Sequence, residues 1–177
     1  MTFKFKNTIY KIIDNQTDFL YLEYLNKQEL NKVINALKFN HSLKIIELNH
    51  CEITDLSSLC KNLKNNYCLE KLYLRFNKIK DITPLKVLEN KSCLEELDLS
   101  YNEIDDLTPL QFLENNSCLK RLYLSRNKIK DLTPLFKFLE KINCLQYLYI
   151  YFNNISIEDF LKLRKLTEFK QIKIEID

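Results

Sequence analysis

The side chains in this chain that could supply a nucleophile and a general base are cysteine and histidine. Only two histidines are present, and one of them, His50, precedes Cys51 directly and lies close to Glu47. A histidine that takes a thiol proton makes a cysteine nucleophilic. No convergent set of acid, base and nucleophile surrounds this pair or His41, so we expect the protein not to be an enzyme and keep catalysis as the least favoured alternative.

Four of the six cysteines recur at almost constant spacing, which raises the possibility of a metal site or a disulfide ladder. They are Cys68, Cys93, Cys118 and Cys144. If the segments that carry them were stacked, each thiol would lie about 5 Å from the next. No C-x-x-C pair occurs, and thiols stay reduced inside cells. We therefore predict buried thiols, with neither metal nor cofactor.

Composition and charge exclude further functions. Glycine is absent, which removes Gly-rich phosphate-binding loops. The net charge of +3 is too small to indicate a nucleic acid or a membrane as partner. The first residues, "MTFKFKNTIYKIIDNQ", lack the apolar run of a secretion signal, and no 18-residue apolar stretch follows. We expect a soluble, cytoplasmic protein.

A repeated segment positions most of these residues. "CLEKLYLRFNKIKDITPL" begins at Cys68, and similar segments begin 25 and 50 residues later. The aligned asparagines stand at intervals of 25, 25 and 26 residues, at Asn77, Asn102, Asn127 and Asn153. Cys51 takes the corresponding position 26 residues before Asn77. A period of this length is typical of a solenoid, in which each copy packs only against its neighbours.

The shared frame is L-x-x-L-x-L-x-x-N-x-I, represented by Leu69, Leu72, Leu74, Asn77 and Ile79. Its L-x-L alternation predicts a strand with one buried face, and stacked copies would pair as a parallel sheet. An inward asparagine amide can satisfy the backbone of the following turn. The cysteine in the earliest copy can do this only weakly, and burial there argues against a nucleophile.

Five such copies resemble the leucine-rich repeat family. "DITPL" and "DLTPL" after the frame look most like its phosphatase-regulatory and internalin-like branch. The resemblance implies an α/β solenoid with a short parallel sheet on the concave face and short helices on the convex face. Thr83, Thr108 and Thr133 precede prolines, and we expect each threonine to cap a convex helix.

The predicted organisation is a single continuous domain. Residues 1–41 form an N-terminal cap with a helix at about 27–39, residues 42–169 form five repeats, and residues 170–177 form a closing strand. Asn26 and Glu29 have the spacing of a capping box. Phe169, Ile172 and Ile174 are expected to close the other end.

Charged positions alternate in sign from copy to copy. Lys71, Glu96 and Arg121 form one such column, and Glu52, Lys78, Glu103 and Lys128 form another. Opposite charges on adjacent strands contribute about 0.2–1 kcal/mol each. We interpret both columns as setting the register and the solubility of the solenoid.

The outward strand positions are rich in aromatic residues, which a solvated sheet face rarely needs. Tyrosine and arginine dominate binding energy at protein interfaces, and the resemblance implies that partners dock on the concave face. The predicted partner-binding residues are Tyr73, Arg75, Phe76, Asp98, Tyr101, Tyr123, Arg126, Tyr149, Tyr151 and Phe152.

The predicted function is a non-catalytic protein–protein interaction module, an adaptor or regulator. The alternative is single-stranded nucleic acid bound by the same rings and arginines. Asp98 and Glu47 in the same strip, and the slight net charge, make a nucleic acid partner less favoured. Neither the partner's identity nor the oligomeric state follows from the sequence.

Overall fold

The computed structural model describes residues 3–89, 91 and 93–175; the outer ends of the predicted cap and closing strand, residues 1–2 and 176–177, lie outside this part. The strands are β1 (Phe19–Glu23), β2 (Ile45–Asn49), β3 (Lys71–Tyr73), β4 (Glu96–Asp98), β5 (Arg121–Tyr123), β6 (Tyr147–Tyr149) and β7 (Lys173–Glu175). The α-helices are α1 (Phe3–Ile13), α2 (Lys27–Leu37), α3 (Ser57–Leu63), α4 (Thr133–Lys141) and α5 (Ile157–Phe169). Two 3₁₀ helices, η1 (Thr83–Leu88) and η2 (Thr108–Leu113), complete the described elements.

The seven strands form one parallel sheet in chain order. The second leucine-type position of each copy pairs with its counterpart in the next, and the residues of this row are fully buried: Ile46, Leu72, Leu97, Leu122 and Leu148. Such rows bury one face of every strand against the convex helices. The predicted α/β leucine-rich-repeat solenoid is therefore confirmed.

The inner ladder is the row of inward asparagines Asn77, Asn102, Asn127 and Asn153. Asn102 shows its chemistry: the Nδ2 donates to the carbonyls of Leu74 and Leu99 at 2.9 and 3.0 Å, and the Oδ1 accepts from the Ile79 N–H at 3.0 Å. One side chain thus satisfies buried backbone groups of two coils. In the earliest copy the Cys51 thiol makes a contact of 3.1 Å with the Asn49 carbonyl instead.

The convex helices begin as the Thr-Pro segments predict, but the cap differs. None of the three threonines is the capping residue, because each is already the first helical residue. Instead an aspartate two residues earlier accepts a hydrogen bond from the threonine N–H at 2.8 Å, and these aspartates are Asp81, Asp106 and Asp131. The aspartate carboxylate thereby satisfies the first orphan N–H of each helix.

The N-terminal segment contains the predicted capping box and an unpredicted strand. Asn26 accepts from the Glu29 N–H, the Glu29 carboxylate accepts from the Asn26 N–H, and α2 ends at Leu37. Strand β1 pairs with β2 and buries Leu20, so this segment supplies a strand and a helix of its own coil. The repeat frame did not reveal this coil because Leu25 stands at its asparagine position. The boundary at residues 41 and 42 stays a prediction.

The C-terminal end corrects one residue of the predicted closing strand. Phe169 is the last residue of α5 and is 85% exposed, whereas Ile172 is buried and Ile174 lies in β7. Ser156 caps α5 by accepting from the Asp159 N–H. The helix extends to Phe169 and so removes that ring from the strand.

The thiols divide into three groups, and the prediction that the column of Cys68, Cys93, Cys118 and Cys144 is buried is wrong, because none of its members is buried. Cys51 and Cys60 are buried, Cys118 and Cys144 are half-buried, and Cys68 and Cys93 are exposed. The residue before an inward leucine points away from the core. In residues 3–89, 91 and 93–175, no group of three His, Cys, Asp or Glu side chains could hold a metal ion.

Within the same described ranges, no helix combines the length and the apolar character that crossing a membrane requires.

Candidate functional site

The residue between the second and third apolar positions of each copy points out of the concave face, and these residues form one continuous row, the middle row. Four predicted binding residues, Tyr73, Asp98, Tyr123 and Tyr149, are paired in register along it. The Tyr123 and Tyr149 rings stack with centroids 4.5 Å apart and planes 9° apart. Burial raises the pKa of the Tyr123 hydroxyl to about 12, so this group stays protonated and able to donate a hydrogen bond.

The buried carboxylate of Glu96 lies at the centre of this face. Glu96 is only 6% exposed and accepts from Lys71 Nζ at 2.8 Å, Arg121 Nη1 at 3.0 Å and Tyr73 Oη at 2.8 Å. Burial opposes its ionisation, but the hydrogen bonds from Lys71 and Tyr73 outweigh that effect and lower the Glu96 pKa. The alternating column therefore also orders the Tyr73 ring.

The second charged column is paired as well. Lys78 Nζ lies 3.0 Å from a Glu52 carboxylate oxygen, and Lys128 Nζ lies 2.7 Å from one of Glu103. These exposed ion pairs join adjacent coils. The interpretation that the charge columns set the register agrees with this pairing.

A second row of side chains, the outer stack, follows the sheet at the carboxyl ends of its strands. Its members are Tyr24, His50, Phe76, Tyr101, Arg126 and Phe152. Ring centroids lie 4.6 Å apart between the first two, then 4.2 and 3.9 Å apart. The guanidinium carbon of the arginine lies 5.1 Å from the Tyr101 centroid and 3.9 Å from the Phe152 centroid.

Every member of the outer stack has a left-handed backbone, with φ between 52° and 56°. Glycine normally fills such positions, yet the chain contains none. A bulky residue there costs about 1–2 kcal/mol. The contacts along the stack offset part of this cost. Because the rings cover each other's faces, the surface offers their edges to solvent.

Arg75 and Tyr151 each contact members of the outer stack. The guanidinium carbon of Arg75 lies 4.7 Å from both the Phe76 and the Tyr101 ring centroids. The Tyr151 ring meets that of Phe152 at 5.4 Å and 73°. Burial raises the pKa of Asp98, although its hydrogen bonds with Ser100 and the nearby Arg75 charge counter that rise.

We name these ten predicted residues together the concave site; that they bind a partner stays a prediction. Sequence reasoning missed two members of the outer stack, Tyr24 and His50. A signal for both was present, since they stand directly before the ladder position at the same 26-residue interval.

The geometry also separates the two side chains that could have formed a catalytic pair. The His50 ring is stacked between Tyr24 and Phe76 in the outer stack, whereas Cys51 points inward and is buried. Burial raises the pKa of the Cys51 thiol, which disfavours the nucleophilic thiolate.

Comparison with known proteins places the repeats in context. The family described as "Leucine Rich repeats (2 copies)" matches residues 41–87 and 94–137. No curated protein matches the chain.

The solved structures with a similar fold include the following three. A leucine-rich repeat protein of Leptospira interrogans has 28% identity and a TM-score of 0.69; the match covers 91% of this chain but 37% of that longer one. Internalin C2 of Listeria monocytogenes has 20% identity and a TM-score of 0.58, covering 96% and 84% of the two chains. The leiomodin-1 fragment called Actin-Binding Site 2 has 16% identity and a TM-score of 0.60, covering 97% and 99%.

Proposed function

Because this chain belongs to the leucine-rich repeat family, we propose that it is a non-catalytic adaptor or regulator that binds a partner protein on the concave site. The observation that carries the proposal is the ordered row of aromatic edges along the outer stack, which includes Arg126 and has Arg75 beside it. Tyrosine and arginine are the residue types most often responsible for binding energy at protein interfaces.

Preorganisation supports this function. The Tyr123 and Tyr149 rings are stacked, and Tyr73 is hydrogen-bonded to Glu96. Side chains that are already fixed lose little conformational freedom when a partner binds. The sheet offers seven strands at about 4.8 Å spacing, enough to seat a helix or a protruding loop.

The stacking geometry disfavours single-stranded nucleic acid as the ligand. Proteins that bind single strands present open ring faces on which bases stack. Here the Phe76 ring lies between His50 at 4.2 Å and Tyr101 at 3.9 Å, so both of its faces are occupied. Side chains of a protein can contact the remaining ring edges without breaking the stack. The leiomodin-1 fragment of the same fold is named for a protein ligand, which supports a protein as the class of partner.

We propose that the module acts in the cytoplasm. Cys68 and Cys93 are exposed free thiols, and such groups persist in a reducing compartment.

A quantitative pull-down from cells that contain this protein tests the proposal. The variant is Tyr123→Ala with Tyr149→Ala, and the matched control is Tyr10→Ala with Tyr67→Ala, which removes two exposed tyrosines that lie outside the strands. Circular dichroism is used to check that both variants keep the fold.

We expect the captured protein to be lost with the concave variant and kept with the control. With the partner then purified, calorimetry should give affinity at least about tenfold weaker for the concave variant, as for the loss of interface hot spots. Equal affinity of the two variants would show that the concave site is not the binding surface.

A further inference from the structure

We propose that Arg75, Tyr101 and Arg126 form an oxyanion subsite, which receives a carboxylate or phosphate group from the docking segment of the partner protein. This inference rests on the proposed function and adds the chemistry of the ligand. Both guanidinium carbons lie close to one ring, at 4.7 and 5.1 Å from the Tyr101 centroid. Since each is about 5 Å from the same point, they are at most about 10 Å apart.

Ring contacts hold the two guanidinium groups in place. Besides the shared ring of Tyr101, Arg75 lies 4.7 Å from the Phe76 centroid, and Arg126 lies 3.9 Å from the Phe152 centroid. A guanidinium group that stacks on an aromatic ring uses its face for the contact. Its five N–H donors lie in the plane of the group, so its edges stay directed at other acceptors.

The arginines of this protein fall into two pairs. Arg121 forms an ion pair with Glu96 at 3.0 Å, and Arg164 forms one with Glu168 at 3.0 Å. Among residues 3–89, 91 and 93–175, no carboxylate oxygen lies within 4.0 Å of the Arg75 or Arg126 guanidinium nitrogens. The two cations that flank Tyr101 therefore have no carboxylate counter-ion there.

Two unsatisfied polar atoms lie in the same region. Arg75 Nε and Ser125 Oγ are buried and lack a hydrogen-bond partner within the described residues. Ser125 is 1% exposed, precedes Arg126, and accepts the Tyr101 N–H on its backbone carbonyl at 2.9 Å. Native proteins rarely leave buried polar atoms unpaired, so the described residues of this region provide fewer acceptors than its polar groups require.

An oxyanion fits these donors by charge and by shape. A carboxylate or a phosphate accepts two parallel N–H bonds from a guanidinium edge, and such charge-assisted bonds are about twice as strong as neutral ones. Asp98 is the carboxyl group whose charge acts on Arg75, but its Oδ1 accepts from the Ser100 N–H at 2.8 Å, and within the described residues it forms no ion pair with that guanidinium group. The subsite thus predicts a partner segment that places an acidic or phosphorylated side chain beside Tyr101.

Nuclear magnetic resonance of the arginine side chains tests the subsite directly. The chain has arginines only at positions 75, 121, 126 and 164, so the Nε–Hε region holds few signals. The probes are phenyl phosphate and benzoate, with benzyl alcohol as the neutral counterpart. We expect both anions to shift the signals of Arg75 and Arg126 saturably, and benzyl alcohol to shift neither.

Substitutions then assign the effect. Arg75→Gln and Arg126→Gln should each weaken probe binding about tenfold, as expected when one charge-assisted bond is lost. Arg164→Gln, which removes an exposed and already paired arginine, should leave it unchanged. Equal shifts of all the arginine signals, or probe binding that survives both substitutions, would overturn the proposal.

The purified partner separates this inference from the proposed function. If Arg75→Gln with Arg126→Gln leaves partner affinity intact while the Tyr123 and Tyr149 variant abolishes it, the subsite is wrong and the concave interface stands. Loss of affinity on phosphatase treatment of the partner identifies a phosphate, and loss on replacement of its acidic residues identifies a carboxylate. Tighter competition by a single-stranded oligonucleotide than by the partner would instead contradict both proposals.

Discussion

The inner ladder and the outer stack come from adjacent residues of each coil, yet their side chains meet opposite requirements. Asn102 follows Tyr101, and Asn127 follows Arg126. The asparagines are buried and bind the backbone of two coils, whereas the stack members contact one another and solvent.

The difference shows where this solenoid can vary. Inside, the residue must supply donors and an acceptor at fixed points, because buried backbone groups need partners. Outside, any planar side chain can continue the stack, as Arg126 does between the rings of Tyr101 and Phe152. The outer row can therefore carry recognition without disturbing the fold.

The largest expected effect is at the inner ladder. Asn102→Ala removes donors to the carbonyls of Leu74 and Leu99 and the acceptor for the Ile79 N–H. An unsatisfied buried group costs about 1–3 kcal/mol, so we expect a loss of about 3 kcal/mol or more in the free energy of unfolding. Urea denaturation measures it.

Asn154→Ala is the control. Asn154 follows the ladder residue Asn153, is exposed, and uses its backbone N–H, not its side chain, to bind Ile129. It should change the stability by less than about 0.5 kcal/mol. Equal stability of the two variants would show that the ladder asparagine does not stabilise the fold.

A smaller effect is expected at Glu96. Its substitution tests whether a buried polar residue of the concave face stabilises the fold as the ladder asparagines do. Glu96→Gln leaves Lys71 and Arg121 without their shared carboxylate. Breaking a buried pair costs about 3–5 kcal/mol, and the partial exposure of both cations reduces this to about 2 kcal/mol at pH 7.

The pH dependence gives this prediction a second readout. The pKa of Glu96 is lowered from its usual 4.5, so the carboxylate stabilises the fold above the pKa of the unfolded chain. That contribution is lost as the pH falls through the lower, folded-state value. Unfolding experiments from neutral to acid pH should show a flatter profile for Glu96→Gln than for the wild type, and parallel profiles would contradict the assignment.

The inner half of the comparison was readable from the sequence, and the outer half only in part. Asn77 and Asn102 recur at a fixed interval within apolar frames, and a period fixes which residues stack. The mutual stacking of Phe76 and Tyr101 depends on left-handed backbones. Glycine usually marks such positions in a sequence, and this chain has none. The period also does not say whether rings present faces or edges.

The ends and caps were less predictable for local reasons. The first coil has Leu25 at the ladder position, so the asparagine frame does not mark it, although Tyr24 keeps the 26-residue interval of the outer stack. Phe169 has the apolar character of a strand residue but continues α5. Asp81 accepts from the Thr83 N–H, and the spacing alone does not distinguish this arrangement from a helix capped by the threonine itself.

Backbone strain in the outer stack gives a third, smaller effect. Tyr101→Ala and Tyr101→Gly both remove the ring, but φ is 55° at this position. Glycine adopts this conformation freely, so the glycine variant should be more stable than the alanine variant by about 1 kcal/mol. The same pair of substitutions at Tyr123, inside β5, should have the reverse order. Denaturant midpoints compare all four variants, and an identical order at both sites would remove the argument for strain.

The smallest effect is expected at the exposed charge column, which has the same coil-to-coil spacing as the ladder but none of its burial. Lys78 Nζ and the Glu52 carboxylate are 3.0 Å apart, and both side chains are more than half exposed. Water and salt screen such a pair, so Lys78→Ala should lower the free energy of unfolding by no more than about 0.5 kcal/mol. A loss comparable to that of Asn102→Ala, measured in the same urea titration, would mean that stacking alone makes a side chain structural. A small loss of stability that disappears in high salt would show that the charge column and the inner ladder differ because the ladder is buried.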